Sequence, residues 1–478
     1  MEVGSSSHEK DGLFARGWWW LKAMIIGVVQ KIIKLGQDDP RRVIHSLKVG
    51  IALTLVSLIY YSRPLYDGFG AAGMWAVLTV VVVFEFTVGA TLGKGLNRGF
   101  ATLLAGALGV GAHHFASLCG EKGEPIILGL STFLIAATST FSRFFPRIKR
   151  RYDYGVVIFI LTFSLVSVSG YRVDKIIKMA HQRLLTIIIG GVTCVTVSIF
   201  ICPVWAGEDL HNLVAQNMEM IANFLEGFGG EYFRSPEDGD SPVISKNQKP
   251  FLKEYKSVLN SKATEESLAN FASWEPGHGC FRFRHPWKQY LQIGTLNRQC
   301  AYLVEALNGC INSEIQVPSE FRKKIRKACT DMSLECGNAL KELALAIKEM
   351  RQPCLADPPV ESAKTAAGDL KTTLKTAFIE NSDLLAIMSA ATVASLLVEI
   401  VHCTDKIAKS VHELANLAHF KKVDPTLTPE KPYLLHRGTI KPLSEADSPH
   451  HVGITIPNLP TTTTESVHLE CVNNIINT

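Results

Sequence analysis

The sequence is short of charged residues, and the shortage is uneven along the chain. Of its 478 residues 19% are charged and 47% apolar, whereas about a quarter of an ordinary soluble protein is charged. This composition excludes a disordered chain, and the length excludes a small disulfide-stapled domain. Residues 1–206 hold 21 basic and 11 acidic residues, whereas residues 207–478 hold 28 and 33. A basic, apolar half followed by an acidic, polar half predicts a membrane domain joined to a soluble one.

Motifs of catalysis and metal binding are also missing. The chain has no nucleotide-binding glycine loop, zincin motif or nucleophile elbow, so it indicates neither an enzyme nor a bound cofactor. Its eleven cysteines lack the close paired spacing of zinc or disulfide sites, which favours reduced thiols. His113 and His114 are adjacent, and adjacent helical side chains diverge by about 100°, so no firm metal site is predicted. No cleavable signal peptide is expected.

Apolar runs that could cross a bilayer as helices, for which roughly 20 residues suffice, occur six times in the first half. The predicted spans are residues 44–61, 71–88, 99–119, 125–141, 155–170 and 184–205. Several are rich in Gly, Ser and Thr, which lets neighbouring helices approach closely. The predicted fold class is therefore all-α, with a six-span helical membrane domain over residues 44–206 followed by a cytoplasmic helical domain.

The orientation follows from the basic residues that flank the spans. With a cytoplasmic amino terminus, twelve Lys and Arg fall on the inner flanks and six on the outer ones, as the positive-inside trend requires. Both termini are then cytoplasmic. Residues 1–43 are predicted to be a cytoplasmic segment with an interfacial helix, because Trp18, Trp19 and Trp20 precede an apolar, lysine-bearing stretch.

Beyond residue 206 the apolar residues recur at intervals of three and four, which predicts amphipathic helices. We expect a cytoplasmic helical domain over residues 207–420 and a largely disordered tail over residues 421–478. Predicted helices are residues 210–233, 288–313, 320–350 and 384–420, with loops at residues 235–250 and 352–365.

Basic residues stand inside or beside the predicted spans, where charge is costly. Lys48 falls in the first span, and Lys94 and Arg98 share one helical face at the mouth of the third. Arg183 ends a basic stretch, residues 171–183, predicted to be an outer vestibule that concentrates anions. These residues predict a positively lined path for an anion. The alternative is that basic residues near span ends snorkel and only set the topology.

Glu85 is the single acidic residue within the predicted spans. It lies about one turn from the inner end of the second span, at the depth of Lys48 in the first. We therefore predict an ion pair or a shared polar network between Glu85 and Lys48. Proton transfer by Glu85 during transport is the alternative.

A loop over residues 274–288 mixes aromatic and basic residues between Gly and Pro. It could suggest base stacking on nucleic acid, or a metal held by His278, Cys280 and His285. The acidic balance of this half disfavours nucleic acid, and three weak ligands disfavour metal. Packing between helices or against the membrane face is the favoured role.

Several motifs together resemble the plant aluminium-activated malate transporter family over roughly residues 38–420. They are residues 39–42, 75–86, 89–99, 152–155, 202–207 and 274–276. The resemblance implies a homodimeric anion channel with six spans per subunit and a cytoplasmic helical domain. It also implies passive conduction of malate and often of inorganic anions, gated by voltage, ligands or aluminium.

The same resemblance assigns roles to particular residues. It implies that Lys94, Arg98 and Arg183 line the pore and that Trp75 lies in the span associated with gating.

Aluminium sensing in this family is linked to outer acidic residues. Asp67 and Asp174 match two such positions, but Lys178 stands where a third acid is expected. Because a hard trivalent ion prefers several carboxylates, the resemblance leaves activation by aluminium open.

Two other classes of function compete with the channel. A proton-coupled organic-acid exporter would use Glu85 as its coupling group, and a membrane-bound lipid enzyme would need a catalytic motif that is missing. The expected partners are malate and other small anions, membrane lipid and a second copy of the chain, not nucleic acid. The expected location is the plasma membrane, with the vacuolar membrane as the alternative.

Overall fold

The computed structural model describes residues 6–61, 73–168, 173–233, 250–312, 319–380 and 384–422. Regular structure in these ranges is helical apart from two isolated β-bridges, which confirms the all-α prediction. The described residues fall into two compact units. The first unit draws on residues 1–221, 242–276 and 287–305, and the second on residues 222–241, 277–286 and 306–478.

Helices fill the described part of the apolar half. Their bounds are α1 Ser6–Asp38, α2 Pro40–Tyr61, α3 Met74–Val83, α4 Val88–Ser117, α5 Gly120–Ser142, α6 Pro146–Arg151, α7 Asp153–Val168 and α8 Val173–Phe200. Each predicted span overlaps one of these helices. The predicted amino-terminal helix corresponds to α1, on which Trp20, Ile25 and Ile32 are exposed. The short helix α6 was not expected.

The predicted second span, residues 71–88, is wrong at its carboxyl end. Helix α3 ends at Val83, and Phe84 adopts an extended conformation with ψ of 118°. Thr87 then caps α4, its side chain accepting a hydrogen bond from the Ala90 backbone N–H at 3.3 Å. Consequently Glu85 lies in the turn between two helices, and Lys94 and Arg98 lie well inside α4 rather than at its mouth.

Small residues allow the helices of the first unit to pack closely. Helix α4 packs against α7 and α8, and α3 packs against α8. A Cβ atom added to Gly109 would lie 2.7 Å from a methyl carbon of Val166, and one added to Gly190 would lie 2.7 Å from the Ala76 carbonyl oxygen. These contacts are the close approach that the glycine-rich spans predicted.

Among the described residues, two helical stretches are long and apolar enough to cross a membrane, Lys122–Ser142 and His181–Phe200. Met74–Val83 and Asp153–Ser167 are apolar but shorter. Length and composition therefore identify fewer clear spans than the six predicted, and the six-span arrangement stays a prediction.

The polar half forms a second series of helices. Their bounds are α9 Ala206–Tyr232, α10 Phe251–Glu254, α11 Lys256–Leu259, α12 Lys262–Ala272, α13 Trp287–Asn312, α14 Ser319–Lys348, α15 Asp357–Glu380 and α16 Leu384–Leu417. The four long predicted helices are confirmed to within a few residues, and α12 was missed. The predicted tail lies outside the described residues, as does nearly all of the predicted loop 235–250.

The predicted loop at residues 352–365 is wrong over most of its length, because α15 begins at Asp357. Pro358 and Pro359 suggested a loop, but proline is tolerated in the first turn of a helix, where the backbone N–H groups have no intrahelical partner. Within the second unit, α15 packs against α14 and α16.

Candidate anion-binding site

Among the described side chains of the apolar helices, Arg98 on α4 is the most buried arginine. It is 4% exposed, and its Nη1 donates a hydrogen bond to the Tyr154 hydroxyl oxygen at 3.1 Å. Its Nε is buried without a hydrogen-bond partner among the described residues. A buried guanidinium normally has its donors satisfied, often by a carboxylate. Arg98 therefore keeps both its charge and a donor available for a ligand.

A second arginine approaches the same place from α8. The guanidinium carbon of Arg183 lies 4.0 Å from the ring centroid of Trp75 on α3, a cation–π geometry. Within the described residues Arg183 forms no ion pair with a carboxylate. An aromatic face orients a cation without neutralising it, so this charge is also available for an anion.

Arg98 and Arg183 border one small cavity. Trp75, Thr102 and Thr162 are also among its lining residues, and its volume is about 20 Å³. The Thr102 hydroxyl is buried without a partner among the described residues. Two guanidinium groups and an unpaired hydroxyl in an apolar surrounding suit a small anion, because guanidinium pairs well with carboxylates. The cavity holds no more than about one water molecule, so the helices must separate before an organic acid can enter.

Lys94 lies one turn before Arg98 on α4 and also faces α7. Its Nζ lies 5.7 Å from the ring centroid of Tyr154 and forms an ion pair with Glu85. The two basic residues of α4 thus share Tyr154 as a neighbour, which confirms that they lie on one helical face. Lys94 differs from Arg98 in being partly neutralised by a carboxylate.

The predicted ion pair between Glu85 and Lys48 does not form, and each residue has another partner. Because the chain turns after Val83, the Glu85 carboxylate reaches Lys94 on the following helix. Lys48 is 2% exposed, and its Nζ donates a hydrogen bond to the Cys202 carbonyl oxygen at 2.6 Å. Lys48 therefore links α2 to the segment after α8 and does not border the cavity of Arg98 and Arg183.

The remaining predicted site residues divide between packing positions and residues that the structure does not describe. His113 is buried, with Nε2 3.5 Å from a Glu124 carboxylate oxygen. Asp67 lies outside the described residues, as does the side chain of Asp174. Sequence reasoning missed Thr102 and Thr162 as cavity residues, although Thr102 lies four residues after Arg98 and hence on the same face of α4.

Comparisons with known proteins show which family the chain resembles. A sequence profile described as Aluminium activated malate transporter matches residues 33–382. The chain is 56% identical over 394 residues to Aluminum-activated malate transporter 2 of Arabidopsis thaliana, covering 82% of this chain and 78% of that protein. It is 48% identical over 410 residues to Aluminum-activated malate transporter 1 of Triticum aestivum, covering 84% and 87%.

These matches cover most of the chain, including every helix that contributes to the cavity. The protein is therefore a membrane transport protein rather than an enzyme. More specifically, the chain belongs to the aluminium-activated malate transporter family.

Proposed function

We propose that this protein is a membrane anion channel that passively conducts malate and small inorganic anions. The observation that carries the proposal is the pair Arg98 and Arg183, which border one buried cavity without a carboxylate partner among the described residues. Malate has two carboxylates, and each can accept hydrogen bonds from a guanidinium. The relatives named as malate transporters support this substrate.

A transport path must bind its anion weakly enough to release it. The Tyr154 hydroxyl and the Trp75 ring hold the two arginines in place without neutralising them. Lys94, with its charge shared with Glu85, provides a weaker positive position one turn further along α4. Arg98 on α4 and Arg183 on α8 should therefore attract an anion more strongly than Lys94, whose charge is partly compensated by Glu85.

The proton-coupled exporter is less well supported. Its coupling group would be Glu85, which has to bind and release protons during each cycle. In the structure the Glu85 carboxylate is engaged in an ion pair with Lys94 and does not border the cavity of Arg98 and Arg183.

We extend the proposal to the assembly and its setting. The channel has six spans over residues 44–206, cytoplasmic segments at residues 1–43, 207–420 and 421–478, and acts as a homodimer in the plasma membrane. Voltage or ligands open it, and Asp67 and Asp174 are the positions at which aluminium would act. These features rest on the span pattern, the flanking charges and the family resemblance.

Current recordings from the full chain test the proposed function. With a malate gradient across the membrane, the reversal potential of a channel selective for the divalent anion should move by about 30 mV for each tenfold change in gradient. It should not respond to an imposed pH gradient. Transport that tracks the proton gradient and carries no malate current would favour the exporter. Recording with and without aluminium tests the gating.

A substitution then tests the site. Arg183→Gln should lower the malate current at least tenfold while the protein remains at the membrane, whereas Arg183→Lys, which keeps a charge, should lower it less. Unchanged current in Arg183→Gln would contradict the assignment of this cavity to the anion path.

A further inference from the structure

The end of α12 and the turn after it lie directly against the first turns of α4. A Cβ atom added to Gly89 would overlap the Phe271 carbonyl oxygen and lie 2.8 Å from the Glu275 Cγ. One added to Gly93 would lie 3.0 Å from the Trp274 ring. Since these glycines are four residues apart, they form one face of α4 onto which the turn fits. We call Phe271, Trp274 and Glu275 the inner clamp.

The inner clamp also holds the start of α9. The Glu275 carboxylate is buried and accepts hydrogen bonds from the backbone N–H groups of Ala206 at 2.7 Å and Gly207 at 3.0 Å. A carboxylate at a helix amino terminus satisfies free N–H donors and interacts favourably with the helix dipole. Because the start of α9 follows α8 by a short connection, this contact fixes the end of the helix that carries Arg183.

A third contact of the inner clamp is with the corner between α6 and α7. The guanidinium carbon of Arg151 lies 4.5 Å from the Trp274 ring centroid, and the Tyr152 ring stands edge-on to Trp274 at 6.3 Å. Nearby, Asn270 on α12 donates a hydrogen bond to the Arg150 carbonyl oxygen at 3.1 Å. The corner leads directly into α7, which supplies Tyr154 to Arg98.

One turn therefore contacts the inner ends of the three helices that build the anion cavity. We propose that Trp274 and Glu275 are positioning residues for conduction, holding α4, α7 and the α8–α9 connection at the spacing that keeps the cavity small. Movement of α12 would shift all three helices together and change the probability that the cavity opens. This inference rests on the proposed channel function. Neither residue lines the cavity, so ion selectivity should not depend on them.

Changes to the inner clamp should alter gating and leave permeation unchanged. Glu275→Gln removes the charge and one acceptor from the α9 contact, and Gly93→Ala pushes a methyl group against the Trp274 ring. Each should change the open probability of the full chain more than fivefold, leaving the unitary current and the reversal potential as in the wild type. The matched control is Gly106→Ala on the same helix, where an added Cβ meets no atom within 4 Å.

A double-mutant cycle tests whether Gly93 acts through Trp274. The effect of Gly93→Ala on open probability should largely disappear in a Trp274→Ala background, because the ring that the methyl group meets is gone. Phe283→Ala, at a 70% exposed aromatic of the following loop, should leave gating unchanged. Additive effects of Gly93→Ala and Trp274→Ala, or a changed reversal potential, would overturn the positioning role.

Hydrogen exchange separates a failure of this inference from a failure of the proposed function. In the purified full chain, Glu275→Gln and Gly93→Ala should speed amide exchange in residues 88–98 and 204–210 and leave α14 unchanged. Wild-type protein without anion current would reject the channel, and with it the gating role. Normal currents together with unchanged exchange and open probability in the variants would reject the inner clamp alone.

Discussion

Arg98 and Arg298 are both largely buried arginines, but they stand in opposite electrostatic surroundings. Arg98, in the apolar half, donates to a neutral hydroxyl and keeps Nε without a partner among the described residues. Arg298, in the polar half, pairs with the fully buried Glu265, which also accepts hydrogen bonds from Ser261 at 2.7 Å and Asn217 at 3.2 Å. The charge of Arg98 has no carboxylate partner among the described residues, as the proposed anion site requires. The charge of Arg298 is compensated by Glu265, as is usual in a structural core.

The two halves also differ in how much apolar surface they expose. Thirty large apolar side chains are exposed between residues 40 and 200, against six between residues 206 and 422, among the residues that the structure describes. A soluble protein rarely exposes contiguous apolar surface on that scale. The first half therefore has the apolar surface expected of a membrane domain, and the second half has the more polar surface that its composition predicted.

Replacing Arg298, the arginine that pairs with a buried carboxylate, should have the largest effect on stability. Arg298→Met leaves the Glu265 carboxylate buried without its cation, and loss of one member of a buried pair costs about 3–5 kcal/mol. Thermal unfolding of the purified chain should show a large fall in the melting temperature. Glu265→Gln together with Arg298→Met should recover part of the loss. A stable single variant would contradict the structural role of this pair.

The same substitution at Arg98 should have the opposite outcome. Arg98→Met removes an uncompensated buried charge, so stability should stay equal or rise, while the malate current falls tenfold or more. Current recording and thermal unfolding on the same protein check both halves of the statement. Arg147→Met, at an exposed basic residue of α6, is the control and should alter neither. A loss of stability in Arg98→Met as large as that in Arg298→Met would contradict the statement that only Arg298 stabilises the fold.

The contrast between the two halves was visible in the sequence, but its geometry was not. Charge balance and apolar runs predicted the helical class, and spacing placed Lys94 and Arg98 on one face. The run of residues 71–88 looked continuous because Val80–Val83 and Phe84 are all apolar, although Thr87 offered a helix-capping signal. Missing that break led to pairing Glu85 with the wrong lysine.

Contacts between distant helices could not be predicted from spacing at all. Arg183 and Trp75 are far apart in sequence and meet only because α3 packs against α8. Trp274 and Glu275, at the start of the predicted 274–288 loop, pack against helices as predicted, but the sequence did not indicate which helices they contact. Periodicity reports the buried face of a helix and carries no information about which partner covers it.

Removal of Glu85 should have a moderate effect, because this carboxylate partly compensates Lys94, a cation of the apolar half. Glu85→Gln should leave Lys94 fully positive and raise malate current about two- to fivefold, a range set by the roughly 1 kcal/mol limit for half-exposed pairs. Lys94→Gln should lower the current. The control is Asp38→Asn, at an exposed residue at the end of α1. A lower current in Glu85→Gln would favour the exporter, in which this carboxylate is required.

The smallest expected effect is on the pH dependence of stability, and it concerns Asp405, an acid of the polar half that pairs with two lysines. Burial tends to raise the pKa of Asp405, but Lys364 at 2.8 Å and Lys409 at 2.7 Å reverse this and hold the pKa below its ordinary value. A carboxyl group with a lowered pKa in the folded state stabilises the protein above the unfolded-state pKa of about 3.9 and loses that contribution as the pH falls. Asp405→Asn should therefore lower stability by a few tenths of a kcal/mol at neutral pH and flatten the loss of stability on acidification.

Thermal unfolding of wild type and Asp405→Asn between neutral pH and about pH 3 measures this difference. Asp369→Asn, at an exposed residue of α15 that forms no ion pair with a described residue, supplies the baseline for losing one negative charge. The two curves for Asp405→Asn and wild type should approach each other as the pH falls towards the lowered pKa of Asp405, because protonation of the carboxyl group removes its attraction for the lysines. A constant offset between them at every pH would mean that packing at this position, rather than charge compensation, stabilises the polar half.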